Sequence, residues 1–108
     1  MSEKPRFLYT LRAVRTGMLL DGPTDSEAET ITRHFEYLSR LHEAGVVLLA
    51  GRTTENDART IGIVVFEADD ERHAARIMGR DPAVSEGVMT PMLQPFRVAL
   101  GPGPTPSD

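Results

Sequence analysis

The sequence contains no cysteine among its 108 residues. This absence excludes a disulfide framework and a thiolate metal site. An excess of basic residues is also missing, because 12 lysines and arginines stand against 16 aspartates and glutamates, for a net charge of −4. Proteins bind a nucleic-acid phosphate backbone through a basic surface. The charge balance therefore argues against DNA or RNA as a partner.

Long apolar segments are absent as well. The longest apolar run covers residues 46–50, whereas a membrane-spanning helix needs about 20 apolar residues. The first residues also lack the apolar centre of a signal peptide. With 40% hydrophobic and 26% charged residues, the composition is typical of a globular protein with one core. We therefore expect one domain over residues 1–100, in the cytoplasm and without a membrane partner.

A long amphipathic helix is the most informative segment of the chain. Apolar residues recur at helical spacing over residues 26–44, and Gly45 follows them as a helix stop. Asp25 or Ser26 is the expected N-cap. On a helical wheel His34 falls inside the apolar arc, near its border. An imidazole in this position is either a buried structural histidine or a group that handles protons.

The remaining elements are predicted from alternating and helical patterns. Strands are expected at residues 7–12, 46–52, 60–68 and 92–100, a loop at 17–25 and a second helix at 71–78. Asp81-Pro82 opens a turn that runs through Gly87, and Pro95 predicts an edge position or a bulge. Residues 101–108 are rich in proline and glycine and are expected to form a disordered tail.

The order of these elements is βαββαβ, which predicts an α+β protein with a ferredoxin-like sheet and both helices on one face. The second strand is apolar on both faces, since Val46, Leu48 and Ala50 alternate with Val47, Leu49 and Gly51. The third strand has the same character. Two helices can cover only one face, so the other face needs a second subunit. We therefore expect a homodimer in which sheet packs against sheet.

Several short motifs follow one another in this framework. They are His34 with Tyr37-Leu38, Ala44-Gly45, Ala50-Gly51, Gly62-Ile63, Asp81-Pro82-Ala83-Val84, Gly87-Val88 and Pro95-Phe96. In these motifs and their spacing, the chain resembles the YciI-like (YCII-related) family of small dimeric α+β-barrel proteins, over about residues 7–100. The family is similar in fold to muconolactone-isomerase-type proteins.

The resemblance implies an active site made of a histidine and an aspartate, at His34 and Asp81 of this chain. It also implies dehydrochlorination or isomerisation of phenolic and lactone compounds, although many members have no known activity. Two departures lie where a pocket mouth would be. Arg52 stands where many relatives carry proline, and the segment at residues 17–25 differs widely in the family. The identity of the substrate therefore does not carry over.

Both residues of the pair also have a structural interpretation. His34 can be a core histidine, or a general base that removes a proton from a phenol or from a carbon next to a carbonyl. Asp81 precedes Pro82, a preferred combination of N-cap and first helical residue, so it can simply start a turn. In the functional interpretation its carboxylate accepts the N–H of His34 and fixes the tautomer. A carboxylate has two oxygens, so both interpretations can hold.

Two further residues are candidates for substrate binding. Arg52 would bind an anionic group of the substrate, or form a surface salt bridge. Tyr9 would point its hydroxyl into the cleft, or belong to the core as an alternating strand residue. The histidines His34, His42 and His73 show no metal-ligand spacing, so no metal site is expected.

The leading hypothesis is a cofactor-independent small-molecule enzyme, of lyase or isomerase type, that transfers a proton with His34 and Asp81. The alternative is a non-catalytic dimeric binding or accessory module, in which His34 has no route to solvent and no space for a ligand. RNA binding also occurs with this element order, but it requires exposed aromatic residues and basic flanks. The strands of this chain carry valine, isoleucine and leucine instead.

Overall fold

The elements follow the predicted order in a computed structural model that describes residues 4–101. They are β1 (Arg6–Ala13), α1 (Gly17–Leu20), α2 (Asp25–Glu43), β2 (Val47–Arg52), β3 (Gly62–Glu67), α3 (Glu71–Gly79), α4 (Pro82–Ser85) and β4 (Met89–Phe96). The one-turn helices α1 and α4 are additions to the βαββαβ order. Residues 102–108 of the predicted tail lie outside the described residues.

Helix α2 begins with a capping box. The Thr24 hydroxyl accepts the Glu27 N–H, and the Glu27 carboxylate accepts the Thr24 N–H. Thr24 is therefore the N-cap, and the prediction of Asp25 or Ser26 was wrong because this reciprocal pair satisfies two free N–H groups one residue earlier. Gly45 has a φ of 80° after the helix, as predicted for its stop. None of the helices within residues 4–101 is long and apolar enough to cross a membrane.

The four strands form one antiparallel sheet in the order β2-β3-β1-β4. The first and third strands of the chain lie in the centre, and the second and fourth lie at the edges. This is the strand order of a ferredoxin-like fold, so the α+β, ferredoxin-like prediction is confirmed. The edge position of β4 agrees with Pro91 and Pro95, because proline has no N–H to donate and an edge strand pairs with a neighbour on one side only.

One face of the sheet, the helix-covered face, holds the core. Phe7, Tyr9 and Leu11 of β1 are at most 5% exposed on this face. The pairing register places Phe66, Val64 and Gly62 of β3 opposite these three residues. Helix α2 packs near β2, and α3 packs near β1 and β4. The two helices therefore cover different halves of the same face.

The opposite face of the sheet, the open face, is uncovered by helices of the same chain. Leu49, Met92 and Phe96 lie on it and are 55%, 60% and 40% exposed. Leu8 and Ile63 lie between them at the centre of the sheet. This face therefore presents apolar side chains from all four strands, with Thr10 and Gln94 as polar positions among them.

Strand β4 differs from the predicted strand at residues 92–100. It begins at Met89, opposite Ala13, and ends at Phe96, opposite Arg6. Residues 97–101 lie beyond the ladder because β1 begins at Arg6, so both ends of β4 coincide with the ends of β1. The predicted loop at residues 17–25 also differs, because its first part is the helix α1 and Met18 is buried.

Strand β2 contains a bulge between Val47 and Leu49. Val47 lies on the helix-covered face, whereas Leu49 lies on the open face. After the bulge Ala50 and Arg52 return to the helix-covered face. The regular alternation that was predicted for this strand was therefore wrong, because one extra residue reverses the order of faces.

Candidate active site

A buried aspartate connects α2 with the short helix α4. Asp81 is fully buried and is the N-cap of α4, where its Oδ1 accepts the Ala83 N–H at 2.9 Å. Both carboxylate oxygens also contact Nδ1 of His34, at 2.7 Å for Oδ1 and 2.9 Å for Oδ2. The structure thus brings His34 and Asp81 together, and the cap and the contact with histidine exist at the same time.

Tyr9 is the third member of this hydrogen-bonded group. Its hydroxyl donates to Oδ2 of Asp81 at 2.8 Å, and its ring contacts Phe66 edge-on with centroids 5.5 Å apart. Burial, and then the negative charge of Asp81, raise the pKa of Tyr9 far above its usual value, so the hydroxyl stays a donor. Tyr9 is therefore enclosed in the core, facing Asp81. It does not lie where a substrate-binding tyrosine was predicted, because its side of β1 faces packed side chains.

The donors around Asp81 assign the tautomer of His34. An ionised carboxylate only accepts hydrogen bonds, and the Tyr9 hydroxyl and the Ala83 N–H already donate to it. Nδ1 of His34 must then donate as well, so this network assigns a proton to Nδ1. In the neutral ring Nε2 keeps its lone pair and can accept a proton.

A cavity of about 740 Å³ lies beside His34, between α2 and the half of the sheet formed by β2 and β3. The His34 side chain lines it and is 13% exposed. Ala50 and Gly62 contribute small side chains from the sheet, and Met18 and Leu19 contribute from α1. Apolar residues form most of the lining, so the cavity suits a small, largely apolar ligand with an ionisable group at His34.

Arg52 lines the same cavity but bonds to its own loop. Its guanidinium donates to the carbonyls of Thr53 and Glu55, each at 2.9 Å, and to Oδ1 of Asn56 at 3.0 Å. These acceptors are neutral, and no ion pair of Arg52 is found within the described part of the chain. Arg52 is therefore a cation at the cavity wall that no carboxylate of residues 4–101 neutralises.

The other histidine of the cavity is His42, eight residues after His34 on α2. At 1.5 Å per residue the two rings are attached about 12 Å apart along the helix. Across residues 4–101, no three histidine, aspartate or glutamate side chains converge as ligands for a metal ion.

Two polar residues that the sequence analysis did not single out join α4 to α2. Thr30 is 2% exposed and donates its hydroxyl to Oε1 of Glu86 at 2.7 Å. Arg33 forms an ion pair with the same carboxylate. The signal in the sequence is the position of Thr30, which falls about 40° from His34 on the helical wheel, beside the apolar arc. A polar residue on a buried face needs a partner.

The fold of this chain is similar to that of a solved enzyme. It is 5-chloro-2-hydroxyhydroquinone dehydrochlorinase (TftG) from Burkholderia phenoliruptrix AC1100, in complex with 2,5-dihydroxybenzoquinone. The TM-score is 0.61 at 17% sequence identity, over 84% of this chain and 93% of the other. At this identity the likeness establishes the fold alone.

Sequence comparisons give the relationship more directly. Curated protein sequences yielded no match. The model of the YCII-related domain, in contrast, matches residues 7–93, which is most of the chain and includes His34 and Asp81. The chain therefore belongs to the YCII-related family.

Proposed function

We propose that this protein is a small-molecule enzyme of lyase or isomerase type, with His34 as general base and Asp81 as the group that orients it. One observation carries the proposal. His34 lines a cavity of about 740 Å³ while a fully buried carboxylate holds its Nδ1. Nε2 is then the nitrogen left to meet a ligand. An imidazole oriented in this way can act as a base at neutral pH.

The proposed reaction begins when Nε2 of His34 removes a proton from a phenol or from a carbon next to a carbonyl. The ring becomes an imidazolium, and the charge of Asp81 stabilises it at hydrogen-bond distance. In an isomerase the same proton returns to another carbon. In a lyase the electron pair left on the substrate expels an anionic leaving group, and the proton passes to solvent. Neither route requires a cofactor.

Tyr9 has a supporting role in this scheme. Its hydroxyl and the Ala83 N–H hold the two oxygens of Asp81 in place. A carboxylate that is fixed from three sides cannot turn away from His34 when the charge on the ring changes. Tyr9 is therefore a positioning residue in this proposal and does not touch the substrate.

One solved neighbour suggests the substrate class. The dehydrochlorinase of similar fold carries a bound dihydroxybenzoquinone, which is a small oxygenated ring. A ring of this kind has acidic hydroxyl groups at its edge and flat faces without hydrogen-bonding groups, which suits a mostly apolar cavity with His34 in its wall. We therefore propose phenolic or lactone rings as the substrate class of this chain.

Arg52 is proposed to bind an anionic substituent of such a ring. Its guanidinium has only neutral acceptors at the cavity wall, and arginine binds carboxylates through paired N–H groups. Arg52→Gln should weaken binding of 4-hydroxybenzoate about tenfold and leave binding of 4-hydroxybenzamide unchanged, as measured by calorimetry. Equal losses for both ligands would contradict an anion-binding role.

The decisive experiment is a panel of chlorinated phenols and lactones with native protein and His34→Gln, assayed by proton release for elimination and by ultraviolet absorbance for isomerisation. Loss of the base should lower the rate about 10²- to 10⁴-fold, while circular dichroism shows an intact fold. His42→Gln is the matched control, because His42 lines the same cavity without a carboxylate contact among the described residues. Full turnover by His34→Gln would overturn the proposal.

The non-catalytic alternative made a specific prediction, namely that His34 has no space for a ligand. His34 lines the cavity instead, and this favours the enzyme. A binding module that used this cavity without chemistry would bind members of the panel, release no protons and leave their absorbance spectra unchanged over time. The same assay therefore separates the two functions.

A homodimer is proposed to cover the open face. Met92 is 60% exposed there, among other apolar residues. Met92→Glu should shift a dimer toward monomer in sedimentation experiments, because the charge would be buried between the two sheets. Val14→Glu is the control, since Val14 is equally exposed outside the sheet. A monomeric native protein would contradict the proposal.

A further inference from the structure

The short helix α4 is attached to α2 at both of its ends. Asp81 is its N-cap and contacts His34, and Glu86 is its C-cap and contacts Thr30. Thr30 and His34 are four residues apart, so they lie on the same face of α2, about 6 Å apart along its axis. The two attachments therefore form a pair of parallel links between the same two helices.

The link at Glu86 has one buried partner, Thr30. The Thr30 hydroxyl is buried and has a local acceptor, the carbonyl of Ser26 at 3.2 Å, yet it lies closer to Glu86, at 2.7 Å. Arg33 adds an ion pair to the same oxygen of Glu86. The hydrogen bond from Thr30, and then that from Arg33, lower the pKa of Glu86, so the carboxylate stays charged at neutral pH.

A helix of one turn has almost no stability of its own. The position of Asp81 must then come from the contacts of the segment that carries it. The N-terminal contacts are those of Asp81 itself, with Tyr9, His34 and the Ala83 N–H. At the other end of α4, Glu86 provides a second polar contact with α2.

We propose that Thr30 and Glu86 are positioning residues that hold Asp81 in contact with Nδ1 of His34. Their purpose rests on the proposed function of His34, but their effect on the contact is measurable without a substrate. The pair fixes the angle of α4, and the angle of α4 decides whether both oxygens of Asp81 reach the imidazole. Loss of Thr30 or Glu86 leaves His34 unchanged and makes the position of Asp81 less fixed.

The test measures how fast the Nδ1 proton of His34 exchanges with water, by NMR of ¹⁵N-histidine-labelled protein. Thr30→Val keeps the shape of the side chain and removes its hydroxyl, and Glu86→Ala removes the acceptor. Each should speed this exchange about tenfold, the effect of losing one hydrogen bond to a charged group. Glu86→Gln keeps an oxygen for Thr30 and should stay within about threefold of the native rate.

Thr32→Val is the matched control, because among residues 4–101 the Thr32 hydroxyl bonds to the carbonyl of Ala28 in the same helix and to no other residue. The backbone amide of Val64 in the buried strand β3 reports global unfolding in every variant. The proposal predicts faster exchange at His34 with an unchanged rate at Val64. It is overturned if Thr30→Val matches Thr32→Val, if both probes accelerate equally, or if Glu86→Gln behaves like Glu86→Ala.

This outcome is independent of catalysis. If His34→Gln keeps full turnover, the proposed function fails, whereas the exchange rates still decide whether Thr30 and Glu86 hold the contact. If the protein is active, Thr30→Val should lower kcat about tenfold and leave KM unchanged, because the base is loosened and the cavity is not altered.

Discussion

The helices α3 and α2 cover the same face of one sheet, but they meet different side chains. Under α3, the fully buried Tyr9 and Phe66 pack against each other, and Ala74 and Ile77 of the helix close over them. All four side chains are at most 8% exposed. This half of the molecule is a continuous core.

Under α2 the sizes are reversed. Gly62 of β3 and Ala50 of β2 form part of the sheet surface, and His34 and Leu38 face them from the helix. Because these sheet residues are small, a cavity of about 740 Å³ remains between them and α2. We call the half under α2 the hollow half and the half under α3 the solid half. The two halves differ in the size of the sheet residues that face the helix.

The proposed catalytic pair lies at the border between the two halves. Tyr9 belongs to the solid half and fixes Asp81, while His34 belongs to the hollow half and faces the cavity. Rigid packing on one side and open space on the other are what a proton-transfer site needs, since one side orients the base and the other admits the substrate.

The largest expected effect concerns stability in the solid half. Phe66→Ala should lower the free energy of unfolding by about 3–5 kcal/mol, because the surrounding side chains cannot fill the space. Leu38→Ala should cost only about 2 kcal/mol, since part of Leu38 already faces the cavity. Urea denaturation measures both values. Equal losses would mean that the two halves are packed alike.

The next effect separates stability from ligand binding. A Cβ at Gly62 would meet Leu11 at 3.5 Å, an ordinary contact, so Gly62→Ala fits and projects into the cavity. It should stabilise the fold by about 0.5–1 kcal/mol and weaken binding of a phenolic ligand about tenfold.

Gly79→Ala in α3 is the control for this change. No atom lies within 4 Å of a Cβ built at Gly79, and the residue does not line the cavity. A similar gain in stability with unchanged ligand affinity is expected, as measured by thermal melting and calorimetry. Weaker ligand binding in both variants would show that the effect of Gly62→Ala does not come from filling the cavity.

The smallest effect is a dependence on acidity in the hollow half. The Arg15 guanidinium donates twice to Glu27, at 2.9 and 2.7 Å, and also to the Gly22 carbonyl, so it ties the segment of α1 to α2. Hydrogen bonding from Arg15, and then from the Thr24 N–H, lowers the pKa of Glu27 to about 2. The unfolded chain has an ordinary value near 4.5.

The folded-state pKa of Glu27 is depressed, so its contribution is complete above pH 4.5 and is lost as the pH falls toward 2. Methyl NMR signals of Met18 should change in this range before those of Ile77, because only the first lies on α1. Glu27→Gln should remove the early change. A simultaneous change of both signals in the native protein would contradict a separately tied α1.

Sequence reasoning predicted those structural features that depend on residues close together in the chain. The period of α2, the φ of Gly45 and the order of strands followed from spacing and turn chemistry. The start of β4 at Met89 did not, because it depends on the length of β1, which is distant in sequence. Phe35 is 68% exposed although it belongs to the apolar residues that recur at helical spacing in α2.

The candidate site was less accessible to sequence reasoning. Periodicity placed His34 near the core but could not supply Asp81, which is 47 residues away and was named from the family resemblance. The direction of the Tyr9 hydroxyl and the contact between Thr30 and Glu86 depend on how α4 sits on α2. No local pattern encodes such an angle between elements.

The bulge in β2 determines which side chains of this edge strand face α2 and the cavity. In the observed register Ala50 and Arg52 face α2, while Leu49 faces outward. A slip of one residue that paired Leu48 with Val65 would move Leu49 to the helix-covered face and turn Arg52 to the open face. The cavity would lose its arginine in one step, without any change of amino acid. The composition of the cavity wall is therefore set by the alignment of an edge strand.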